Sequence, residues 1–402
     1  MSAAIGAARA AGIAAAGVTW RLECSACDYA QSGAEPAGVC PRCGQPLLAR
    51  YGVAGLGGPS ARWDLWRYAS ALPLAAGEVP VSLGEGLTPA VEVPSLARRL
   101  GVARLWVKDE GRNPTASFKA RGMSAAVTRA RALGARGLVV PTAGNAGAAL
   151  AAYGAAAGLP VRVYAPRTTP APILRTVRAF GADLRLIDGH IGDAGRLARA
   201  DAAEGGWTDV STFREPYRVE GMKTMGYELR DQLADALGGG LPSVVAYPTG
   251  GGEGTVGIWK AFGELRAAGA LPADVALPRM VVAQSAGCAP LVRAFAAGED
   301  RATAWEDPAT YASGLRVPGP LGDRLVLRVL RESGGDALAV PDEVTRVATR
   351  ELSEASGVDA APEGGCALAA LDALRAAGRL SAADTVVLFN TGSGASYREQ
   401  DA

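Results

Sequence analysis

Short apolar runs alternate with longer helical stretches over most of this chain, and this alternation constrains the fold more than any other feature. A first series predicts strands at 105–107, 137–141, 161–164 and 184–187, separated by helices at 117–133, 145–158 and 170–180. A second series predicts strands at 244–247, 280–283 and 385–389, with a helix from residue 256 after the first of them. Because each helix-length crossover returns the chain in the same direction, the pattern predicts an α/β fold with parallel sheets wound on both faces.

A lysine stands where the first long helix opens, in the segment Asn113-Pro-Thr-Ala-Ser-Phe-Lys119-Ala-Arg-Gly122. Parallel sheets bind ligands beyond the carboxyl ends of their strands, which is where this segment lies. The positive end of a helix dipole disfavours an ammonium group, so we expect a lowered pKa for Lys119. Of the 41 Lys and Arg residues, the lysines are Lys108, Lys119, Lys223 and Lys260. A position that stays lysine in such a chain is a candidate amine nucleophile, a role that arginine cannot fill.

Three further strand ends carry glycine-containing segments, two of which suit anions. Thr142-Ala143-Gly144-Asn145 opens a helix whose free amides can hold a carboxylate. Pro248-Thr-Gly-Gly-Gly-Glu-Gly254-Thr255 lacks both the GKS/T ending of an ATP loop and the spacing of a dinucleotide fingerprint, which favours a small phosphate ester. Asn390–Gly394 follows the last strand. Each segment alone is common, but an amine nucleophile with cradles for a carboxylate and a phosphate indicates a pyridoxal phosphate enzyme acting on an amino acid.

Four cysteines form two CxxC pairs, Cys24-x-x-Cys27 and Cys40-x-x-Cys43. Two such knuckles can present four thiolates to one tetrahedral Zn²⁺, so we expect a structural zinc ribbon. An iron ribbon, redox thiols and a ribbon that has lost its metal are the alternatives. The two remaining cysteines stand in apolar surroundings and are expected to be buried thiols.

Composition excludes several classes of protein. The single histidine, His190, cannot build a three-histidine metal centre. A net charge of +1 and a pI near 7.6 give no electrostatic reason to expect nucleic acid or an acidic membrane as partner. The apolar runs are too short for a membrane span, and no basic region precedes the Ala-rich N-terminal stretch. We therefore expect a cytoplasmic protein with reduced cysteines.

Six segments follow one another along the chain: NPTASFKARG, TAGNAGAALAAYGAAAGLP, STFREPYRVEGMKTMGYEL, YPTGGGEGTVGIWKAF, PEGGCALAAL and FNTGSGASY. With GEGLTP upstream, they resemble the threonine synthase family of fold type II pyridoxal phosphate enzymes over residues 80–397. CxxC pairs also occur at the N-terminus of threonine-synthase-like proteins. The resemblance implies two doubly wound domains with parallel sheets, arranged as in the tryptophan synthase β subunit, and a homodimer.

On this basis we divide the chain into four parts. They are an N-terminal extension (1–19), a zinc-ribbon-like module (20–50), a large domain that binds pyridoxal phosphate (51–122 and 216–402) and a small α/β domain (123–215).

The resemblance also implies roles for single residues, with Lys119 carrying the cofactor and shuttling protons. The cofactor would further be held by Asn145, Gly250, Gly251, Gly252, Glu253, Gly254, Thr255 and Thr391. The carboxylate of an amino-acid substrate would bind Thr142, Ala143 and Gly144. A phosphate on that substrate would be met by Arg218, with Thr212, Ser211, Lys223 and Thr88 as further candidates.

The family reaction converts O-phospho-L-homoserine and water to L-threonine and phosphate, by γ-elimination and β-addition. Three residues depart from the usual family pattern: Ala116 replaces a glycine, Ala120 replaces an aspartate, and Glu253 stands where GGGTG is common. The Ala120 change removes a charge partner for Arg121. Glu253 must point away from the phosphate, accept a proton or act on the substrate.

These departures leave two other functions open. One is a paralogous enzyme for β- or γ-replacement or elimination on another amino acid, such as O-phosphoserine in a reaction like that of cysteate synthase, or in specialised metabolism. The other is an inactive binding protein that acts through its ribbon.

Overall fold

The computed structural model describes residues 19–52 and 58–398, which contain three sheets. Residues 1–18 of the predicted N-terminal extension lie outside this range. The first sheet is antiparallel, with the order β2-β1-β3, and forms the ribbon. Its strands are β1 (Trp20–Cys24), β2 (Ala30–Ser32) and β3 (Leu47–Tyr51).

The large sheet has the order β12-β11-β10-β13-β5-β4. Its strands are β4 (Ala90–Glu92), β5 (Arg104–Asp109), β10 (Val244–Pro248), β11 (Arg279–Ser285), β12 (Asp336–Val340) and β13 (Thr385–Asn390). Five strands are parallel, of which the sequence predicted four and missed β12. At the edge of the sheet, β4 pairs antiparallel with β5. The apolar pattern did not predict this strand, because three residues are too few to show a period.

The small sheet is wholly parallel, with the order β8-β7-β6-β9, and its strands lie between β5 and β10 in the chain. Its strands are β6 (Leu138–Pro141), β7 (Val161–Pro166), β8 (Asp183–Ile187) and β9 (Thr208–Asp209). The division at residues 122/123 and 215/216 stays a prediction.

Helices cover both parallel sheets. In chain order they are α1 (Pro94–Leu100), α2 (Lys119–Ala132), α3 (Asn145–Ala157), α4 (Ala171–Ala179), α5 (Ile191–Gly205), α6 (Arg218–Gln232), α7 (Glu253–Ala267), α8 (Pro290–Ala296), α9 (Asp323–Glu332), α10 (Asp342–Ser356) and α11 (Pro362–Ala376). Helix α7 begins three residues before the predicted start, because the last residues of the glycine loop already form its first turn. None of the helices in the described parts of the chain combines the length and apolar character needed to cross a membrane.

Strand β10 is apolar at every position because both of its faces are buried. Val245 and Tyr247 pack into the core on one face of the large sheet, while Val244 and Ala246 pack into the core on the other face. Consecutive side chains of a strand point to opposite faces, so a strand covered on both sides buries all of them. Strands β5 and β13 are parallel neighbours, so the loops at their carboxyl ends lie side by side.

Candidate active site

The four segments identified at strand ends meet in one cleft. Hydrogen bonding holds two of them together, since the Phe118 amide donates to the Thr391 carbonyl at 3.1 Å. The cleft is narrow, with a volume of about 50 Å³. Its lining comes from β10, α2, α3, α7, α11 and the loops around them: Phe118, Lys119, Asn145, Tyr247–Gly254, Gly314, Leu315, Glu363 and Thr391.

Lys119 is the first residue of α2, and its side chain is 21% exposed, toward the cleft. Burial lowers the pKa of Lys119 to about 8, and Arg218 adds to this effect, whereas the carboxylates of Glu253 and Glu363 oppose it. The sequence predicted the direction of this shift from the helix dipole, but the main cause is desolvation. A lysine with this pKa supplies far more neutral amine near pH 7 than an exposed lysine does, as a nucleophile requires.

Glu253 forms a buried ion pair with Arg218, the residue expected to meet a substrate phosphate. Its Oε2 lies 2.7 Å from Arg218 Nη2 and 3.7 Å from Lys119 Nζ. Its Oε1 accepts a hydrogen bond from the Phe213 amide at 3.2 Å. Arg218 also donates from Nη1 to the Val210 carbonyl at 2.7 Å, and the side chains of the pair are each 1% exposed. Glu253 thus pairs with an arginine while still lining the cleft, and the choice among the three expectations for its role stays a prediction.

The glycine loop after β10 has no room for side chains. A Cβ added at Gly250 would lie 2.3 Å from the carbonyl oxygen of Gly314, and one added at Gly254 would lie 2.0 Å from Tyr247 Oη. Gly252 has a φ of +93°, a backbone angle that residues other than glycine rarely adopt. The loop therefore presents backbone amides to the cleft at the N-terminus of α7, where a phosphate is bound favourably.

Sequence reasoning gave no role to two polar groups in this cleft. Glu363 is buried, and its Oε1 accepts hydrogen bonds from the Gly314 amide at 2.9 Å and Tyr397 Oη at 2.7 Å. Burial raises the pKa of Glu363. The buried hydroxyl of Tyr247 lies against Gly254 and has no hydrogen-bond partner within residues 19–52 and 58–398. Glu363 lies inside the segment PEGGCALAAL, and Tyr247 lies inside YPTGGGEGTVGIWKAF. Because both segments were identified from the sequence, their polar residues could have been considered as site candidates.

Comparison with known proteins agrees with this geometry. The family model for pyridoxal-phosphate dependent enzymes matches residues 81–392. The threonine synthase of Methanosarcina acetivorans is 33% identical over 380 residues, covering 93% of this chain and 91% of the relative. That of Mycobacterium leprae is 35% identical over 328 residues, covering 81% and 86%. This chain belongs to the threonine synthase family of pyridoxal-phosphate dependent enzymes.

A solved structure of diaminopropionate ammonia lyase from Escherichia coli has the same fold as this threonine synthase family member, which is therefore of fold type II. The TM-score is 0.68 at 20% sequence identity, and the match covers 79% of this chain and 88% of the other. The fold class predicted from the sequence is confirmed.

The cofactor of the threonine synthase family is pyridoxal phosphate, and the residues of this cleft fit it. Pyridoxal phosphate is an aldehyde with a phosphate and a polar ring. The cleft offers an amine of lowered pKa for the aldehyde, backbone amides for the phosphate and the Tyr247 hydroxyl as a polar group. Asn145 and Thr391 line the same cleft, while Thr255 lies below the loop with its hydroxyl 2.8 Å from that of Thr249.

The residues proposed for the substrate are not all in one place. Gly144 lies near the cleft, since a Cβ added to it would be 3.6 Å from Ser313 Oγ. Thr142 donates a hydrogen bond to the Gly144 carbonyl at 2.7 Å, which shapes this loop, and Ala143 lines a neighbouring cavity. Thr212 contacts the glycine loop beside Gly251, and Ser211 donates to Asp209.

Lys223 and Thr88 lie in buried charge networks outside the cleft lining. Lys223 contacts Glu220 at 2.6 Å and Glu264 at 3.0 Å, and its side chain has no exposed surface. Thr88 donates to Glu110 at 2.6 Å. Both side chains have their polar groups engaged within the protein, so the structure does not bring them together with Lys119.

Arg121 does not lack a charge partner despite the alanine at position 120. Its Nε donates to Glu110 at 2.6 Å, and its Nη2 donates to Glu228 at 2.8 Å. Lys108 donates to the same oxygen of Glu228, Oε2, at 2.7 Å. All of these side chains are fully buried, so the network fixes α2, and with it Lys119, against β5 and α6.

The four ribbon cysteines converge as the sequence predicted. Their sulfur atoms all lie within 4.8 Å of one another, with separations of 3.4 Å for Cys24–Cys43, 3.6 Å for Cys27–Cys40 and 3.7 Å for Cys27–Cys43. A tetrahedral Zn²⁺ with Zn–S bonds of about 2.3 Å requires sulfur atoms about 3.8 Å apart. The cluster is therefore suited to a structural zinc ion with four thiolate ligands.

Proposed function

We propose that this chain is a lyase of the threonine synthase type, which removes a leaving group from the side chain of an L-amino acid and adds water. The reaction supported by the names of its relatives converts O-phospho-L-homoserine and water to L-threonine and phosphate. The observation that carries the proposal is Lys119, an amine with a pKa of about 8 in a cleft lined by the glycine loop after β10.

Pyridoxal phosphate, when bound, withdraws electrons from the α-carbon of an amino acid and so makes its protons acidic. The work of the chain itself is to position groups and move protons. Lys119 would attach the cofactor and then carry protons between adjacent carbons, as an amine with a pKa near neutrality can. The amides of Gly250–Gly254 would hold the cofactor phosphate, and Asn145 and Thr391 would contact its ring.

Glu363 is a second group able to hold a proton at this cleft. The raised pKa of its buried carboxyl and the hydrogen bond from Tyr397 suit a group that gains and loses a proton during turnover. The histidine expected to be incidental, His190, is exposed and does not line the cleft.

The ion pair between Arg218 and Glu253 favours a second candidate, a paralogous enzyme that acts on another amino acid. An arginine that already has an internal carboxylate is a weaker site for a substrate phosphate.

Both candidates are tested on the enzyme loaded with pyridoxal phosphate, incubated with O-phospho-L-homoserine and separately with O-phospho-L-serine. The assay measures phosphate and amino-acid products. Threonine formed from the first substrate supports the family reaction, and phosphate released without threonine supports the second candidate. A protein that binds no pyridoxal phosphate, or whose cofactor absorbance is the same in the Lys119→Ala variant, would refute both.

A further inference from the structure

A carboxyl group of the cleft is hydrogen bonded to a tyrosine that lines a second cavity. Glu363 lines the cleft together with Lys119, and its Oε1 accepts a hydrogen bond from Tyr397 Oη at 2.7 Å. Tyr397 also lines a cavity of about 700 Å³ between α10, the start of α11 and residues 394–398. This second cavity opens to solvent, since Arg350 and Glu354 on its wall are exposed.

Two hydroxyl groups lead to the Glu363 carboxyl. Tyr397 Oη, which donates to Glu363, lies 3.2 Å from Ser313 Oγ. A hydroxyl group both donates and accepts, so it can take up one proton as it gives up another. Burial and the carboxylate of Glu363 raise the pKa of Tyr397 well above its ordinary value, which keeps the phenol neutral. Tyr397 can therefore pass a proton on without remaining as a charged phenolate.

The segment that carries Tyr397 is held in place by Asp359. The Gly394 amide donates to the Asp359 carbonyl at 3.1 Å, and the Ala395 amide donates to Asp359 Oδ2 at 3.1 Å. The Ser393 hydroxyl donates to the same carboxylate. These contacts keep the buried phenol between Glu363 and the second cavity.

The proposed reaction moves protons at two separate steps. A phosphate that leaves the substrate takes up one proton, and the water that adds at the β-carbon gives one up. Glu363 lines the cleft and its burial raises its pKa, so it is suited to give the first proton and accept the second. It can do so independently of the order and timing of the two steps only if it exchanges protons with solvent.

We infer that Tyr397 carries protons between Glu363 and solvent in the second cavity. When a proton moves toward the cleft, the Tyr397 O–H bond breaks as a new bond forms to Glu363 Oε1, and Oη takes a proton from Ser313 or from solvent. The reverse transfer forms and breaks the same bonds in the other direction. The use made of these protons rests on the proposed function, whereas the route itself does not.

The first test removes the hydroxyl of Tyr397 and keeps the ring. In Tyr397→Phe loaded with pyridoxal phosphate, kcat for O-phospho-L-homoserine should fall about tenfold or more. The solvent deuterium isotope effect on kcat should rise, because proton transfer becomes the slow step. Tyr311→Phe is the matched control, since Tyr311 lines the same cavity and its hydroxyl lies 3.5 Å from Thr349. Both quantities should stay at their wild-type values in this control.

Chemical rescue distinguishes a proton route from a structural role. Tyr397→Ala opens a gap between Glu363 and the second cavity, in which imidazole can carry a proton in place of the phenol. The kcat of this variant should rise with the concentration of imidazole, and that of Tyr311→Phe should not. A variant that is slow because Glu363 is misplaced would not respond to imidazole.

A third measurement does not depend on turnover. After a rapid drop in pH, time-resolved infrared spectroscopy follows the protonation of the Glu363 carboxyl, whose band is assigned by its loss in Glu363→Gln. The band should appear about tenfold more slowly in Tyr397→Phe than in the wild type or Tyr311→Phe.

The outcomes separate the route from the lyase function. Equal protonation rates in the wild type and Tyr397→Phe, or a defect in Tyr397→Ala that imidazole does not reduce, would overturn the inference. If the wild type turns over neither O-phospho-L-homoserine nor O-phospho-L-serine, the lyase function fails instead, and the infrared measurement still decides whether Tyr397 carries protons.

Discussion

The hydroxyl of Tyr51, the last residue of the ribbon sheet, donates a hydrogen bond of 2.8 Å to Glu220, two residues after Arg218 in α6. Lys223 lies 2.6 Å and Lys260 lies 3.1 Å from the same carboxylate oxygen. The ring of Tyr51 also packs under the Lys223 ammonium, with 4.1 Å between the nitrogen and the ring centroid. The ribbon is therefore anchored on α6 and α7, the two helices whose first residues are Arg218 and Glu253.

Replacing Tyr51 with phenylalanine should loosen the ribbon. The change removes a buried hydrogen bond to a charged acceptor, so we expect the free energy of unfolding to fall by about 1–2 kcal/mol. Tyr227→Phe is the matched control, since Tyr227 donates to Glu264 in the same network but lies outside the ribbon. Limited proteolysis should cut residues 20–50 faster in Tyr51→Phe alone. Equal rates in the two variants would show that this hydrogen bond does not anchor the ribbon.

Removal of zinc should unfold the ribbon before the rest of the protein. Four thiolates around one ion leave no position for substrate, so the metal is structural and its binding free energy supports the fold of the module. A strong chelator should release one zinc per chain and expose residues 20–50 to protease, with little loss of cofactor absorbance. A Cys40→Ser variant should behave like the chelated enzyme. If turnover is lost while the rest of the protein stays folded and keeps its pyridoxal phosphate, the metal takes part in catalysis.

The sequence predicted the elements of this fold because strand and helix patterns are local. β10 is apolar throughout and β13 is apolar from Val386 to Phe389, and the loop after β10 carries the glycines that a phosphate requires. The same reasoning placed Lys119 at a helix start, where the structure has it. The CxxC spacing predicted the sulfur cluster for the same reason, since each knuckle is a short local motif.

The charge pairing was beyond that reasoning. Arg218 and Glu253 are 35 positions apart in the chain, and nothing in the sequence around either residue indicates that they pair. They lie 2.7 Å apart because α6 packs on α7. Arg121 likewise keeps its charge balanced through Glu228, which comes from another helix. Partners that are distant in sequence are chosen by tertiary packing, and no local pattern specifies them.

Substitutions in the buried network around Arg121 should reduce the free energy of unfolding strongly. Arg121→Gln leaves Glu110 and Glu228 buried with the cation of Lys108 alone, and breaking such a pair costs about 3–5 kcal/mol. We expect chemical denaturation to show a loss of this size. Arg121→Lys, which keeps one charge but not the fork of donors, should recover part of the stability. A loss below about 1 kcal/mol in the glutamine variant would show that solvent relaxes the network.

Acid should weaken the same network. Burial alone would raise the pKa of Glu228, but Arg121 and Lys108 outweigh it and hold the pKa at about 2, below its ordinary 4.5. A carboxylate whose folded pKa is lowered stabilises the protein above the ordinary value and loses that contribution as pH falls toward the folded value. The free energy of unfolding, measured by urea denaturation, should therefore decline between pH 4.5 and about 2. The decline should be shallower in Glu228→Gln.

Ala116 carries a backbone strain that glycine would relieve. Its φ is +56°, in the left-handed region that favours glycine. Ala116→Gly should therefore raise the free energy of unfolding, by up to about 1 kcal/mol. Ala120→Gly is the control, because Ala120 is buried in the regular first turn of α2 and the change should cost about 1 kcal/mol or more. The melting temperatures of the two variants should move in opposite directions, and a shared direction would contradict the strain.

The lowered pKa of Lys119 should set the pH dependence of cofactor loading. Protonated lysine cannot attack an aldehyde, so the rate at which the apoenzyme captures pyridoxal phosphate should rise about tenfold per pH unit below pH 8. It should level off above pH 8, where the amine is already neutral, whereas a lysine of ordinary pKa would keep rising to pH 10.5. Glu253 opposes the lowering, so Glu253→Gln should move the break to a lower pH. Stopped-flow absorbance across pH 6 to 11 measures this, and a break near pH 10.5 in the wild type would show that Lys119 is not desolvated in the apoenzyme.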